Sequence, residues 1–564
     1  MPASKSKILI PVISAAVVVT GGIAAYMFLK GGPAGDGAGA LGSAKVVPSS
    51  AIMATYITTD PQAWAKLQEF GTPEAQQLLN KGLESLNKDV FKDSNISYEK
   101  DIKPWVGGVM VAMLPPNPVK PAQFNPPTGA PTQPSKLQSE PKMLFVVGIK
   151  DKIAALNFGN KLKAQKGVKI QETDYKGEKI TETFESENSK PTYSVVLNNS
   201  QIVLAPEKQT IEQAIDTYKG QASFASKEGA NSILSKGVDV KNTLAQIYIP
   251  DYVGMVKQLA AANPQGTQLP PQTLKQLEQV KSMVAGVGVD DAGLRLKAIA
   301  NLDPQLNKFQ YQNTPAKIVG QFPADTLALI SGQGISRTWT TVLEQSKDYP
   351  EFNQAVAQVR QQFKSTVDLD LDKEVLGWMD GEFAVGAIPS NQGILASVGF
   401  GGALLFDTSD RKTAESTLSK LDELIKKQTL TVAQKDIGGK KVTEWQTPQG
   451  ALLAHGWLDQ DTVFIALGSP IADAIAGNKT QTLENSDTFK SVTASLQKPN
   501  GGYFYLDMDK TMTIFNRFAA FQPVPPEANA ILNSIRGLGV TATSPDKSVS
   551  QVEMLLALKP KTTK

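Results

Sequence analysis

The chain contains no cysteine and a single histidine, His455. Without cysteine it can hold no disulfide bond, no iron–sulfur cluster, no thiolate nucleophile and no lipid joined through a thiol. One histidine excludes the zinc sites that need two, such as the HExxH motif. Arginine is also scarce, and the first one in the chain is Arg295, so the N-terminal half is a poor surface for nucleic acid. We therefore expect no metal, no cofactor and no nucleic-acid partner.

Catalytic signatures are missing as well. The sequence has neither a G-x-S-x-G nucleophile elbow nor a G-x-x-x-x-G-K-[ST] phosphate loop. His455 lies between apolar neighbours in the run ALLAHGWL, and we interpret it as a structural or surface residue on a strand. We expect His455→Ala to leave folding intact. No catalytic residue is predicted, and the chain is predicted not to be an enzyme.

The densest acidic segment runs from Asp368 to Glu374, with carboxylates at alternate positions. Oxygens that converge on one point would suit Ca²⁺, but the sixth-position glycine and twelfth-position glutamate of a calcium loop are missing. Leucines alternate with the acids instead. This pattern favours the solvated face of a half-buried strand, with calcium binding as the alternative.

One long apolar run lies near the N-terminus, from Ile8 to Leu29, and its 22 positions carry no charge. As a helix it spans roughly 33 Å, enough for a hydrocarbon core of about 30 Å. Lys5 and Lys7 precede it, and this positive charge places a tail of residues 1–7 in the cytoplasm and the body across the membrane. We predict an uncleaved signal anchor at 8–29. A cleaved signal peptide is the alternative.

Two further segments have the composition of connections. Residues 30–45 are rich in glycine and alanine, which predicts a flexible linker. Residues 114–141 are rich in proline and are interpreted as a solvated hairpin extension, with a polyproline II docking strand as the alternative.

The 564-residue chain is 41% hydrophobic and 20% charged, so it can bury more than one core, and its body repeats one pattern twice. Trp105 and Gly108 mark the first copy, and Trp378 and Gly381 mark the second. Other matches follow in the same order: YKGEKI and IGGKKV, IVLAPEKQTIEQAI and FIALGSPIADAI, LPPQ and VPPE. A tandem duplication predicts a first repeat at 46–303, a linker at 304–314 and a second repeat at 315–564.

Each half contains runs with period two, such as VMVAM and KMLFVVGI, and these predict strands. The segment from Asp407 to Lys427 places apolar residues on one helical face and predicts a helix capped by Ser409 or Asp410. Lys176-Gly177 and Gly438-Gly439 predict hairpin turns. The fold class is therefore α+β: two tandem, duplicated halves with mainly antiparallel sheets and helices on one face. The two repeat-marker tryptophans are interpreted as core residues.

The W-x-x-G pattern at Trp105–Gly108 and Trp378–Gly381, followed by an apolar strand and a proline, resembles a bacterial domain-of-unknown-function family numbered 3352. Members common in cyanobacteria are similar in having a short N-terminal anchor and a long lysine-rich body. The resemblance covers most of the chain after Lys45 and supplies no catalytic residue. It implies a body in the periplasm or the thylakoid lumen.

Together these observations predict a single-pass membrane protein whose extracytoplasmic body is a non-catalytic interaction or scaffold module. Its partners would be the membrane and proteins at the membrane surface. The alternative is a protein that binds a lipid or another apolar ligand. A deep apolar cavity in each half would favour the ligand binder, whereas a filled core with an exposed apolar or charged surface would favour the scaffold.

Overall fold

A computed structural model of the chain describes residues 39–78, 96–116, 141–165, 167–184, 189–262, 273–274, 277–347, 349–428, 430–518 and 525–561. They divide into two compact units. The first unit includes Gln76–Val289, Lys297–Asn301 and the described residues before Gln68. The second includes Gln68–Ala75, Asp290–Leu296 and the described chain from Leu302 onward. The domain boundaries predicted from the sequence stay a prediction.

The predicted cytoplasmic tail and the predicted membrane segment from Ile8 to Leu29 lie outside the described residues, as does most of the proline-rich loop. Among the helices that the structure describes, none combines the length and the apolar character needed to cross a bilayer. The anchor therefore stays a prediction.

The first unit is built on strands that run back and forth, with helices between them. Its elements are α1 (Ala40–Ala44), β1 (Met53–Ile57), α2 (Pro61–Leu67), β2 (Val106–Leu114), β3 (Lys142–Ile149), α3 (Lys152–Lys163), β4 (Lys169–Tyr175), β5 (Glu178–Phe184), β6 (Thr192–Leu197), β7 (Gln201–Ala205), α4 (Lys208–Tyr218), α5 (Ala230–Lys236), β8 (Thr243–Ile249), α6 (Tyr252–Ala262), β9 (Val280–Asp290) and β10 (Gly293–Leu302), whose residues are shared with the second unit.

The second unit follows the same order of strands. Its elements are β11 (Ala328–Gln333), α7 (Ile335–Ser346), α8 (Pro350–Val367), β12 (Glu382–Pro389), β13 (Phe400–Asp407), α9 (Arg411–Lys426), β14 (Thr431–Ile437), β15 (Lys440–Thr447), β16 (Gly450–Trp457), β17 (Thr462–Leu467), α10 (Ser469–Ala476), α11 (Asp487–Thr493), β18 (Tyr503–Asp507), α12 (Met508–Phe518), α13 (Pro526–Asn533), β19 (Ile535–Asp546) and β20 (Val549–Leu558).

Strand pairing is antiparallel and has the same topology in both units. The first unit orders its strands β4-β5-β6-β7-β3-β2-β1-β8-β9. The second orders them β14-β15-β16-β17-β13-β12-β11-β18-β19-β20. Two separate segments of chain thus fold into the same α+β arrangement, and the predicted antiparallel α+β architecture is confirmed.

The two predicted hairpin turns are confirmed in detail. Lys176 and Gly177 connect β4 to β5 with φ angles of 51° and 80°. Gly438 and Gly439 connect β14 to β15 with φ angles of 59° and 80°. Two successive positive φ angles give the turn whose twist matches that of antiparallel strands. Glycine at the second position removes the steric cost of this conformation.

Helix α9 also matches its prediction. Asp410 precedes it, and its carboxylate accepts a hydrogen bond from the backbone N–H of Thr413 at 3.0 Å. Ala414, Thr417 and Leu418 form its buried face. The side-chain cap satisfies one of the N–H groups that a helix leaves without an internal partner.

The prediction that helices cover only one face of the sheet is wrong. Leu405 and Phe406 are neighbours on β13 and point to opposite faces, yet both are buried, in separate apolar clusters. Leu144 and Phe145 on β3 show the same division in the first unit. Apolar residues follow one another without alternation in these central strands, which is the pattern of strands covered on both sides.

The predicted flexible linker at 30–45 is wrong at its C-terminal end. Ala40–Ala44 forms the short helix α1, in which Ala40, Ser43 and Ala44 are buried. Ala40 and Ala44 belong to the main apolar cluster of the first unit. A segment rich in small residues is typical of a flexible spacer. Small side chains also allow a helix to approach other elements closely, and packing against the core makes this segment helical.

Candidate functional site

The tryptophans of the repeated pattern, Trp105 and Trp378, have equivalent local structures. Each follows a π-helical turn, Tyr98–Ile102 in the first unit and Leu371–Val375 in the second. Each indole N–H donates a hydrogen bond to the backbone carbonyl four residues earlier, at 2.7 Å and 3.0 Å respectively. The side chains are 1% and 3% exposed, and each packs against a phenylalanine. Both rings therefore fill the core.

The glycines of the pattern also serve packing. A Cβ atom added at Gly108 would overlap the phenol ring of Tyr56. A Cβ atom added at Gly381 would lie 2.7 Å from the Cβ atom and 2.7 Å from the carbonyl oxygen of Asp407. Neither glycine leaves space for a ligand.

The acidic segment from Asp368 to Glu374 is not a strand, so that interpretation is wrong. Asp368 ends α8 with a left-handed φ of 53°, and the π-helical turn Leu371–Val375 follows. Asp370 caps this turn, because its Oδ1 accepts hydrogen bonds from two backbone N–H groups at 3.0 Å each. Acids that can bond to nearby backbone N–H groups favour caps and turns over strands.

The remaining carboxylates of the segment bind separate partners. Asp372 accepts a hydrogen bond from the indole N–H of Trp339 at 2.8 Å and pairs with Arg360. Glu374 pairs with Lys420, and this hydrogen bond is the largest of the effects that lower the pKa of Glu374. Across the described part of the chain, no group of three or more acidic or imidazole side chains could hold a metal ion.

His455 lies on β16 and is 5% exposed. Its Nε2 atom lies 2.8 Å from Oδ1 of Asp422, and the indole N–H of Trp445 donates to the same oxygen at 2.7 Å. Burial raises the pKa of Asp422, but the hydrogen bonds from His455 and Trp445 outweigh it, so the net shift is downward. Among the described residues no hydroxyl group hydrogen-bonds to His455. The cluster therefore has the chemistry of a buried structural network.

A different feature of the second unit faces solvent: a row of four apolar side chains across its sheet, which we name the apolar strip. Ile330 pairs with both Val385 and Phe504, and Val385 pairs with Leu404. Their exposed fractions are 52% for Ile330, 40% for Val385, and 36% for both Leu404 and Phe504. Strands lie about 4.8 Å apart, so the strip is roughly 15 Å long.

The strip lies on the face of the sheet that α9 covers in part. Leu404 and Phe406 are two residues apart on β13 and so share this face. Phe406 is buried with Ala414 and Leu418 of α9, whereas Leu404 is beyond that contact. In the first unit the equivalent row contains Thr55 at its centre and ends at Phe145, which is 4% exposed. The exposed strip is therefore a property of the second unit.

A family model described as "Protein of unknown function (DUF3352)" matches residues 12–558, nearly the whole chain. The chain belongs to the DUF3352 family. This confirms the family that the W-x-x-G pattern resembles, while the cyanobacterial origin stays a prediction. Comparison with curated proteins finds no match.

Solved structures give only a distant likeness to this DUF3352 protein. "Structure of crystal form III of TP0453" is 11% identical, has a TM-score of 0.26, and is matched over 46% of this chain and 79% of that one. "Structure of crystal form I of TP0453" is 12% identical, with a TM-score of 0.25 and coverage of 46% and 78%. Likeness at this level carries no functional argument.

Sequence reasoning did not find the apolar strip in this DUF3352 protein. The strands β11, β12 and β13 are apolar at successive positions, which predicts burial on both faces. Phe406 packs with α9 on this face, whereas Leu404 lies outside that cluster and is exposed. No local signal in the strands carries that information.

Proposed function

We propose that this protein is a membrane-anchored, extracytoplasmic interaction or scaffold module that acts without catalysis. The apolar strip is the observation that carries the proposal. Exposed apolar side chains scattered singly are ordinary, but a contiguous row on neighbouring strands is typical of a surface that binds another molecule. The strip would be the contact surface for a partner.

A protein is a better occupant of the strip than a lipid. An acyl chain is held when apolar walls surround it, as in a concave pocket that covers most of the ligand. The four side chains of the strip lie on adjacent strands of one sheet face and are at least one-third exposed. An amphipathic helix or strand of a protein partner could cover such a row with one apolar face.

The predicted anchor supports the same reading. If Ile8–Leu29 spans the membrane, few residues separate it from Ala40, where α1 begins. Even a fully extended connection of that length reaches only about 40 Å. The body would therefore meet membrane-bound partners at a high effective concentration, which compensates for weak binding by a small surface.

The experiment removes apolar area from the strip while keeping β-branched side chains. We expect the double change I330T and V385T to abolish recovery of a specific protein partner after crosslinking in intact membranes and detergent extraction. L452T is the matched control, because Leu452 is an exposed leucine of β16, at 45%, outside the strip. The measurement is quantitative mass spectrometry of crosslinked proteins and lipids.

Two results would contradict the proposal. Equal partner recovery from the double variant and the control would show that the strip is not the contact surface. Loss of a bound lipid, with no change in any protein, would favour the alternative of an apolar-ligand or lipid-binding protein at the membrane surface.

A further inference from the structure

The second unit contains a cavity of about 720 Å³ beside helix α11, and it has no part in the apolar strip. Its walls come from that helix, from the segment around Thr314 and from the loop Lys498-Pro499-Asn500 that precedes β18. A volume of several hundred Å³ is in the range of small-molecule sites. Its size alone does not identify a ligand, so the chemistry of its walls must do so.

Part of the wall is apolar and rigid. Phe489 of α11 and Tyr503 of β18 both line the cavity and are 6% exposed. Their rings pack edge to face with centroids 5.7 Å apart. Both belong to the main apolar cluster of the second unit, so their positions are set by the core. They offer a fixed surface to the organic part of a ligand.

Three hydrogen-bond donors in the wall have no partner among the residues that the structure describes. Lys490 and Lys498 line the cavity and are exposed to solvent, and within the described chain neither side chain forms a hydrogen bond or an ion pair. The hydroxyl group of Tyr503 likewise has no hydrogen-bond partner among the described residues, and it stays accessible although most of the residue is buried. A hydroxyl group that is accessible and has no protein partner can donate a hydrogen bond to a ligand in the cavity.

We propose that this cavity binds an organic phosphomonoester, with the phosphate oxygens facing Lys490, Lys498 and the hydroxyl of Tyr503. A phosphomonoester carries close to two negative charges and three strong acceptor oxygens, which match two cations and a neutral donor. The organic part lies against Phe489. The site is independent of the proposed interaction at the apolar strip.

One carboxylate shapes the selectivity of this site. Glu484 also lines the cavity, and its carboxylate repels the negative charge of a bound phosphate. A ligand whose organic part carries a hydroxyl or amino donor satisfies Glu484, whereas one without such a donor does not. Glu484→Gln should therefore strengthen binding of a simple aryl phosphate.

The test uses the full chain in detergent and measures, by mass spectrometry, how fast each lysine is acetylated. We expect phenyl phosphate to slow acetylation of Lys490 and Lys498 and to leave Lys441 unchanged. Lys441 is the matched control, an exposed lysine of β15 outside the cavity. Phosphatidylcholine vesicles with and without phosphatidic acid form the second arm. Protection by phenyl phosphate assigns a soluble ligand, and protection only by phosphatidic acid assigns a lipid headgroup.

Variants connect the protection to the proposed groups. The double change Lys490→Gln and Lys498→Gln should weaken phenyl phosphate binding at least about tenfold, the size expected for lost hydrogen bonds to a charged group. Tyr503→Phe should weaken binding without lowering the unfolding temperature, because the hydroxyl has no hydrogen-bond partner in the described part of the chain. Three results would overturn the proposal. Neither ligand protects Lys490 and Lys498, or Lys441 is protected equally, or the double variant binds phenyl phosphate with unchanged affinity.

Discussion

At the scale of single residues, two aspartates of the second unit have opposite pKa shifts. Asp422 accepts hydrogen bonds from His455 and Trp445; burial raises its pKa, but these bonds outweigh burial and lower it overall. For Asp407, burial raises the pKa more than the hydrogen bond from Thr462 lowers it. A carboxylate charge therefore stabilises the fold at Asp422 and destabilises it at Asp407.

We expect Asp422→Asn to lower the free energy of unfolding at neutral pH by about 1–3 kcal/mol, the cost of losing charged hydrogen bonds in a partly buried site. Because the folded-state pKa is lowered, this stabilisation is present above the unfolded-state pKa of about 3.9 and is lost as pH falls through the folded-state value. Urea denaturation of both proteins at about pH 7 and about pH 3 checks this, since the difference should shrink in acid. His455→Ala should cost a similar amount, so the variant should still fold but should be less stable than the native protein.

Asp407→Asn is the contrasting case. A raised folded-state pKa means that the stability linked to this group is present below the unfolded-state pKa and is lost as pH rises through the folded-state value. Asparagine keeps an acceptor oxygen for Thr462 and removes the charge. We expect the free energy of unfolding at neutral pH to stay unchanged or to rise by up to about 1 kcal/mol. A loss as large as that of Asp422→Asn, measured by the same denaturation, would contradict this account.

At the scale of elements, the W-x-x-G pattern fixes how a π-helical turn meets the next strand. Trp378 closes the turn through its indole N–H, and Gly381 lets the chain pass close to Asp407. The backbone N–H of Gly381 donates to the carbonyl of Asp407 at 3.1 Å, so that close approach is hydrogen-bonded. The pattern can be recognised in the sequence because its function is local packing.

We expect Gly381→Ala to lower the free energy of unfolding by about 1–3 kcal/mol, because the new methyl group would press on backbone that cannot move freely. Gly402→Ala, on the adjacent strand, should change it by less than about 0.5 kcal/mol. There the nearest atom to a new Cβ is the side-chain Cδ1 of Leu467, at 3.5 Å. Thermal unfolding of the two variants measures the difference. Equal unfolding temperatures would show that the close approach to Asp407 is relaxed in solution.

At the scale of the whole molecule, the structured body begins earlier than the sequence predicts. Helix α1 contributes Ala40 and Ala44 to the core of the first unit. We therefore expect a variant that lacks residues 1–38 to fold and to remain in the soluble fraction. A variant that lacks residues 1–44 should be less stable by about 2–4 kcal/mol, since it leaves an unfilled space in the core.

The measurement compares denaturant midpoints of the two truncated proteins and extraction of the full chain by alkaline carbonate. Full-length protein should stay with the membranes if Ile8–Leu29 is an integral helix. Its release by carbonate would argue against the anchor. Equal stability of the two truncated proteins would show that α1 contributes nothing to the core.

The sequence by itself determined the features whose causes are local. Two-residue turns such as Gly438-Gly439 need positive φ angles, the cap at Asp410 needs only the next few residues, and period-two runs identify strands. The same turns, caps and strand patterns recur in the same order in both halves, and this recurrence predicts the duplicated order of elements. They were sufficient for the α+β class and the family, and for the prediction that Trp105 and Trp378 belong to the core.

Only the tertiary structure decided which surfaces are covered and which groups meet. The acidic segment beginning at Asp368 became a helix end and a cap because backbone N–H groups lay within reach of its carboxylates. Ile330 and Phe504 are far apart in sequence, and the pairing of β11 with β18 brings them together. Lys490 and Tyr503 share a cavity because α11 packs beside β18. Burial and proximity of this kind arise from contacts between distant segments, and no periodicity or composition within one segment encodes them.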